Sequence, residues 1–177
     1  MKSVLISIRP KWVEKIARGE KTIEVRKTAP KEFQFKAYIY CTYGNPKENY
    51  ALGKRGKVIG EFICDKVYER QIERMTLMYY SVNMGDDDRE YKQIKTCLTP
   101  EEEWKYGNGK PLYGWHISDL KIYDKPKELS EYWGRIKCLS EHTVECWNCF
   151  AKCVERNGSH YKPLKRPPQS WQYVEKL

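Results

Sequence analysis

A cluster of polar residues near the N-terminus has the types and spacing for ligand chemistry. In Lys21-Thr22-Ile23-Glu24-Val25-Arg26 the β-branched alternation predicts a strand with Ile23 and Val25 on one face and Thr22, Glu24 and Arg26 on the other. Arg26 beside Glu24, with Lys21 at the strand entrance and Arg9 ending the preceding strand, can hold an anionic or hydrogen-bonding ligand through charge-assisted bonds. Glu24 would orient the two cations or accept from an exocyclic amine of a base. As a general base, with Lys21 stabilising developing negative charge, it would suit hydrolysis of an amide or a phosphodiester. The plainer alternative is a structural ion pair between Glu24 and Arg26.

A second cluster is Cys138, His142, Cys146, Cys149 and Cys153. Cys146-Trp147-Asn148-Cys149 has the C-x-x-C spacing by which two thiolates grip a tetrahedral zinc, and Cys138 and Cys153, or His142, would complete the set. The same positions also trace one face of a helix whose buried side uses cysteine as a small hydrophobe, so structural zinc and a thiol-lined helix both stand. The run Asp86-Asp87-Asp88 lacks the alternation and the glycine turn of a calcium loop and reads as a solvated tip.

The chain that must position these groups has 177 residues, with 33 Lys and Arg against 24 Asp and Glu, a formal charge of +9. That length fits a single domain over 1–177. Only 40% of the residues are hydrophobic, yet 14 Tyr, 6 Trp and 4 Phe supply enough area for a core and argue against disorder. The longest apolar run near the N-terminus, Val4 to Ile8, is far short of a membrane span, and no signal peptide is expected. Cysteines without an export signal point to a reducing, cytoplasmic setting and no membrane partner. The basic balance favours a polyanionic partner.

Val4, Ile6 and Ile8 predict a first strand. Pro10 then opens a short helix with Val13, Ile16 and Ala17 on one face, and Gly19 closes it. Further strands are expected at Lys36 to Thr42, Lys57 to Tyr68, Leu112 to Tyr123 and Ser170 to Val174. Thr99 before Pro100 and Glu101 to Glu103 marks a helix start. Five or six strands with few helices give an α+β, small barrel-like fold.

The run Ile6-Ser7-Ile8-Arg9-Pro10, a short helix, and then Gly19, Lys21, Glu24 and Arg26 in a G-x-K-x-x-E-x-R stretch resemble the start of an ASCH domain. Lys57 to Asp65, Tyr113 to Ser118 and Pro167-Pro168-Gln169-Ser170-Trp171 resemble later strands and the closing segment of bacterial and phage members. The stretches at about 69–110 and 134–162 then read as insertions, the second a Cys-rich helical one. The resemblance implies a PUA-like β pseudo-barrel with a cleft beside the signature, and RNA or modified nucleosides as ligands. Arg9, Trp12, Lys21, Glu24, Arg26 and Trp171 are the expected binding residues, with Trp12 and Trp171 as stacking walls.

Some small ASCH proteins are amidohydrolases of acylated cytidine, built on a Lys, a Thr three residues later and a Glu. Here Lys21 is present, but Glu24 stands where the threonine would be, so the expected nucleophile is absent. Glu101, Glu102 and Glu103 could supply the further acid by order alone, and His116 lies in a family-like strand. An RNA- or nucleoside-binding protein with no required cofactor ranks first. A hydrolase using Lys21 and Glu24 on a modified nucleoside or RNA comes next, and a regulator that meets an acidic protein partner is the third reading.

Overall fold

A computed structural model of the chain describes residues 1–32, 34–45, 54–72, 77–81, 95–136, 154–156 and 159–176. Strand β1 (Lys2–Ile8) is buried from Val4 onward, so both of its faces are covered. Val4, Ile6 and Ile8 pack into one cluster with Val13, Ile16, Phe35 and Trp115, whereas Leu5 joins Tyr38, Tyr132 and Val174 on the opposite side. β3 (Phe35–Cys41) lies parallel to β1 in the register Lys2 with Phe35 through Ile8 with Cys41. Parallel neighbours need a crossover rather than a tight turn. Here it runs through helix α1 (Pro10–Ala17), with Pro10, Val13 and Ile16 buried, and strand β2 (Ile23–Arg26).

Among the described residues the remaining strands are β4 (Lys57–Cys64), β5 (Val67–Ile72), β6 (Leu77–Ser81), β7 (Leu112–His116), β8 (Ser118–Lys127), β9 (Tyr132–Ile136), β10 (Val154–Arg156), β11 (Ser159–Pro163) and β12 (Trp171–Lys176). They form an eight-stranded sheet in the order β10-β11-β9-β12-β1-β3-β4-β8 and a four-stranded sheet in the order β2-β7-β5-β6. The architecture is α+β and mostly strand, compatible with a pseudo-barrel, although the two sheets do not close into one.

The strands outnumber the five or six expected because β6, β9, β10 and β11 lie where none was expected and because two of the expected strands divide. The runs Lys57 to Tyr68 and Leu112 to Tyr123 each divide at a corner, at Asp65-Lys66 and at Ile117, and each contributes one half to each sheet. The corners are fastened together. His116 N–H donates to the Lys66 carbonyl at 3.0 Å, His116 Nδ1 meets Asp65 Oδ1 at 2.6 Å, and the Ser118 hydroxyl donates to the Ile63 carbonyl at 2.9 Å. Strands that pass from one sheet to another in this way make the corners of barrel-like packings. Burial raises the Asp65 pKa, but its bond to His116 and the imidazole charge outweigh that and hold the carboxyl below its ordinary range.

The stretches read as insertions contribute to both sheets: β6 pairs with β5, and β11 pairs with β9. Helix α2 (Pro100–Gly107) starts as expected, with Thr99 and Glu102 exchanging the two bonds of a capping box. Cys138, His142, Cys146, Cys149, Cys153 and the acidic run Asp86 to Asp88 lie outside the described residues.

On the sheet face away from α1, Glu61 accepts from Lys36 Nζ at 3.0 Å and from the Tyr123 hydroxyl. Burial raises the Glu61 pKa, yet the Tyr123 and Lys36 bonds outweigh it and hold the carboxyl below its usual range. A carboxyl lowered by folding stabilises at neutral pH, and that contribution disappears as pH falls through the lowered value. Glu61→Gln is therefore expected to cost about 1–2 kcal/mol at neutral pH in urea unfolding. The difference from the parent protein should shrink towards zero as pH falls through that lowered value.

Candidate functional site

Strand alternation puts Glu24 and Arg26 on one face of β2, and parity alone would send Lys21 to the other. Lys21 escapes parity because it precedes the strand: the N–H groups of Glu20 and Lys21 both turn back to the Lys15 carbonyl, at 2.9 and 3.1 Å, extending the end of α1. Its Nζ then lies 3.5 Å from Glu24 Oε2, while Arg26 Nη2 lies 3.0 Å from Glu24 Oε1. The three residues are 3%, 5% and 7% exposed, so one carboxylate stands between two cations in a nearly dry wall.

Burying these charges costs several kcal/mol per ion unless each finds further partners. Lys21 Nζ donates to the Thr96 carbonyl at 2.6 Å, and Arg26 Nη2 donates to the Ser7 carbonyl at 2.7 Å. Each acceptor is itself anchored. The Thr96 hydroxyl donates to Glu103 Oε1 on α2 at 3.0 Å. The Ser7 hydroxyl donates to the Pro168 carbonyl at 2.7 Å, and Ser7 N–H donates to the Ser170 carbonyl at 2.9 Å. The residues 95–97 run alongside the signature, with Thr22 and Ile23 N–H both donating to the Lys95 carbonyl. The ion triad is thus gripped by β1, α2, the closing segment and a stretch read from sequence as part of an insertion.

The triad forms part of the wall of an open cleft of about 780 Å³. Arg9, Trp12, Lys21, Glu24 and Arg26 all line it, and α2 adds Glu102 and Tyr106. Trp12 lies 4.2 Å from Lys11 Nζ and 5.3 Å from Lys21 Nζ, measured to the ring centroid. Two buried atoms of the triad retain bonding capacity, since Glu24 Oε2 and Arg26 Nε have no hydrogen-bond partner.

Trp171 is placed differently. It stands half-buried outside the cleft lining, with its indole N–H donating to Thr28 Oγ1 at 3.0 Å and its ring edge-on to Trp115 and Tyr173. The three glutamates at the start of α2 also part company: Glu101 is exposed, Glu102 caps the helix, and Glu103 is fully buried on Thr96. Thr96 was not singled out from sequence, and Glu103 only together with its two neighbours, because an acidic first turn ordinarily faces solvent. The helical phase set by Thr99 carried the one signal that its three carboxylates face different ways. His116 is engaged by Asp65 at the sheet corner, and it does not line the cleft. Among the described residues no group of three or more His, Cys, Asp or Glu could hold a metal ion. No described helix is long and apolar enough to cross a membrane.

Two sheets joined at shared corners, with a charged cleft beside the strand that follows α1, define an α+β class of domain known from solved structures. The fold is the ASCH fold. The chain is similar to the crystal structure of ASCH from Zymomonas mobilis, with a TM-score of 0.57 at 18% identity over 99% of this chain and 89% of that one. A serine-to-alanine mutant of the same Zymomonas mobilis protein gives 0.55 at 17% identity, with the same coverage. No family model matches the sequence, and no curated protein matches it.

Removing Glu24 leaves two buried cations facing each other. Glu24→Ala is expected to destabilise by about 3–5 kcal/mol in urea unfolding. Glu24→Gln keeps the volume but not the charge and should lose most of the same stability. A Glu24→Gln protein as stable as the parent would show that the volume of the side chain matters here and the charge does not.

Proposed function

We propose that the cleft binds RNA or a nucleoside. The observation that carries this reading is Glu24 itself, a carboxylate held rigidly between Lys21 and Arg26 in the cleft wall. A fixed carboxylate in a cleft wall suits the exocyclic amine and ring N–H edge of a base. Trp12, on the same cleft, offers an aromatic face for stacking, which is how single-stranded bases are commonly held. A cleft of about 780 Å³ accommodates a ligand of nucleotide size. The ASCH-like signature and the ASCH fold both agree with this class of ligand.

A second reading, hydrolysis of a modified nucleoside or of RNA, draws on the same carboxylate. Glu24 Oε2 lies 3.5 Å from the Lys21 ammonium, so a general base and a stabiliser of developing negative charge stand side by side. Turnover of an acylcytidine or RNA panel that Glu24→Gln abolishes would support it, and a fully active Glu24→Gln protein would remove Glu24 from that role.

Binding is tested by fluorescence anisotropy with labelled single-stranded RNA. Trp12→Ala is expected to weaken affinity by about 5- to 150-fold, corresponding to the ~1–3 kcal/mol of one base stack, with Trp12→Phe recovering most of it. Affinity in both variants equal to that of the parent would take Trp12 out of the site. No measurable binding by the parent protein to RNA or to nucleosides would overturn the reading.

A further inference from the structure

The larger sheet carries a second row of planar side chains. Pairing partners on neighbouring strands point to the same side of a sheet, so the registers fix which residues share a face. Val4 of β1 opposes Tyr173 of β12, and Val4 packs into the cluster that includes Val13 and Ile16 of α1. β12 pairs with β9 as Glu175 with Trp133 and Val174 with Gly134, and one step further along the same register Tyr173 stands beside Arg135. Arg135 in turn opposes Tyr161 of β11. Tyr173, Arg135 and Tyr161 therefore form a row across three strands on one face, about 4.8 Å apart from strand to strand. Tyr173 and Arg135 are exposed and Tyr161 is half-buried, and all three line a shallow pocket of about 180 Å³.

Two aromatic rings with a guanidinium between them are surfaces on which unpaired bases stack. Tyr173 is braced for such contact, since its hydroxyl donates to Glu32 and its ring meets the edge of Trp171 with centroids 5.5 Å apart. Arg135 forms no ion pair among the described residues. The charges around the pocket balance, with Lys2 and Arg135 set against Glu32 and Glu175, so planar stacking rather than bulk charge must supply its affinity. The row is also continuous with the cleft. Thr28 and Ser170 line the cleft, Trp171 follows Ser170 and donates its indole N–H to Thr28, and the other side of Trp171 meets Tyr173. One residue, Trp171, thus separates the cleft lining from the row.

We infer that Tyr173, Arg135 and Tyr161 form a second stacking surface for single-stranded RNA: a strand with one base in the cleft, at Glu24 and Trp12, passes Trp171 and lays neighbouring bases on the row. This inference rests on the reading of the cleft as a base-binding site. It adds that the ligand is a strand of several nucleotides, of which a free nucleoside fills only the cleft. Arg135 and Tyr161 both come from the stretch 134–162, so residues added to the ASCH-like core supply two of the three stacking groups.

Isothermal titration of the full chain with the four ribonucleosides and with mixed-sequence single-stranded RNA of about 2, 4 and 8 nucleotides separates the two proposals. Affinity is expected to rise about tenfold or more from the shortest RNA to the longest. The double variant Tyr161→Ala/Arg135→Gln should remove most of that gain while nucleoside affinity stays within about twofold of the parent, with an unchanged thermal midpoint showing that it folds. Tyr161→Phe keeps the ring and should keep the gain, whereas Trp12→Ala should weaken nucleosides and RNA alike. Equal affinity for short and long RNA, or a gain that survives in the double variant, would overturn the row and leave the cleft reading standing. Long RNA that is lost in the double variant, with no nucleoside binding and no effect of Trp12→Ala, would keep the row and overturn the cleft reading. A parent protein that sediments as a dimer, and as a monomer in the double variant, would make the row a contact between copies and overturn its RNA role. Binding of none of these ligands overturns both proposals.

Discussion

The structure depends on burying Glu24 between Lys21 and Arg26. Two cations and one carboxylate in a wall this dry would destabilise the fold if each had only the other for company. They are tolerated because backbone carbonyls from two different regions close the arrangement, Thr96 on Lys21 and Ser7 on Arg26. These carbonyls must be held at fixed positions, and the anchoring bonds from Thr96 to Glu103 and from Ser7 to Pro168 do that. A charge cluster of local origin thereby dictates long-range order: residues 7, 24, 96, 103 and 168 must meet. The compensated triad also fixes Glu24 in one orientation, which is what a hydrogen-bonding ligand requires of its acceptor.

The second constraint is the pair of corners. β4 and β7 pass into β5 and β8 at Asp65-Lys66 and Ile117, and each passage moves the chain from one sheet to the other. β2 belongs to the smaller sheet and β1 to the larger. The cleft is lined from both sheets, by Ser7 and Ile8 of one and by Glu24 and Arg26 of the other. Corners held by His116, Asp65 and Ser118 therefore do more than end strands, because they fix the angle at which the two walls stand. A histidine with a carboxylate neighbour invites a catalytic interpretation, but its place at the corner gives it a structural reason to exist.

Much of this was legible in the sequence where the governing physics is local. β1, α1, β2 and β3 follow from alternation, from Pro10 and from Gly19, and the start of α2 follows from Thr99. That Arg9, Trp12, Lys21, Glu24 and Arg26 line one cleft was legible because they lie within one short stretch that folds on itself. The corners were not. An apolar run looks the same whether it stays in one sheet or crosses to another, and neither Asp65 nor Ile117 is a Gly or Pro punctuating the chain. Trp171 has the right type and neighbours for a cleft wall, but strand β12 turns it to Trp115, and no local pattern says which tryptophan is taken by the core. Thr96 meets Lys21 across 75 residues of sequence separation and is itself held by Glu103, contacts that a single sequence does not encode.

The distribution of charge separates two tasks that a single basic surface would confuse. Uncompensated cations attract any polyanion and lose their hold as salt rises, so by themselves they give affinity with little discrimination. Buried, compensated groups contribute little net attraction, but they penalise any ligand that leaves them without a partner. In this cleft the first kind stands where α1 opens, at Arg9 and Lys11, and the second where β2 runs, at Glu24 and Arg26. The overall charge of +9 therefore says less about function than where its members are paired. Lys21 and Arg26 are neutralised on the cleft wall, whereas Arg9 and Lys11 have no ion pair among the described residues, and Arg26 Nε is a buried donor without an acceptor.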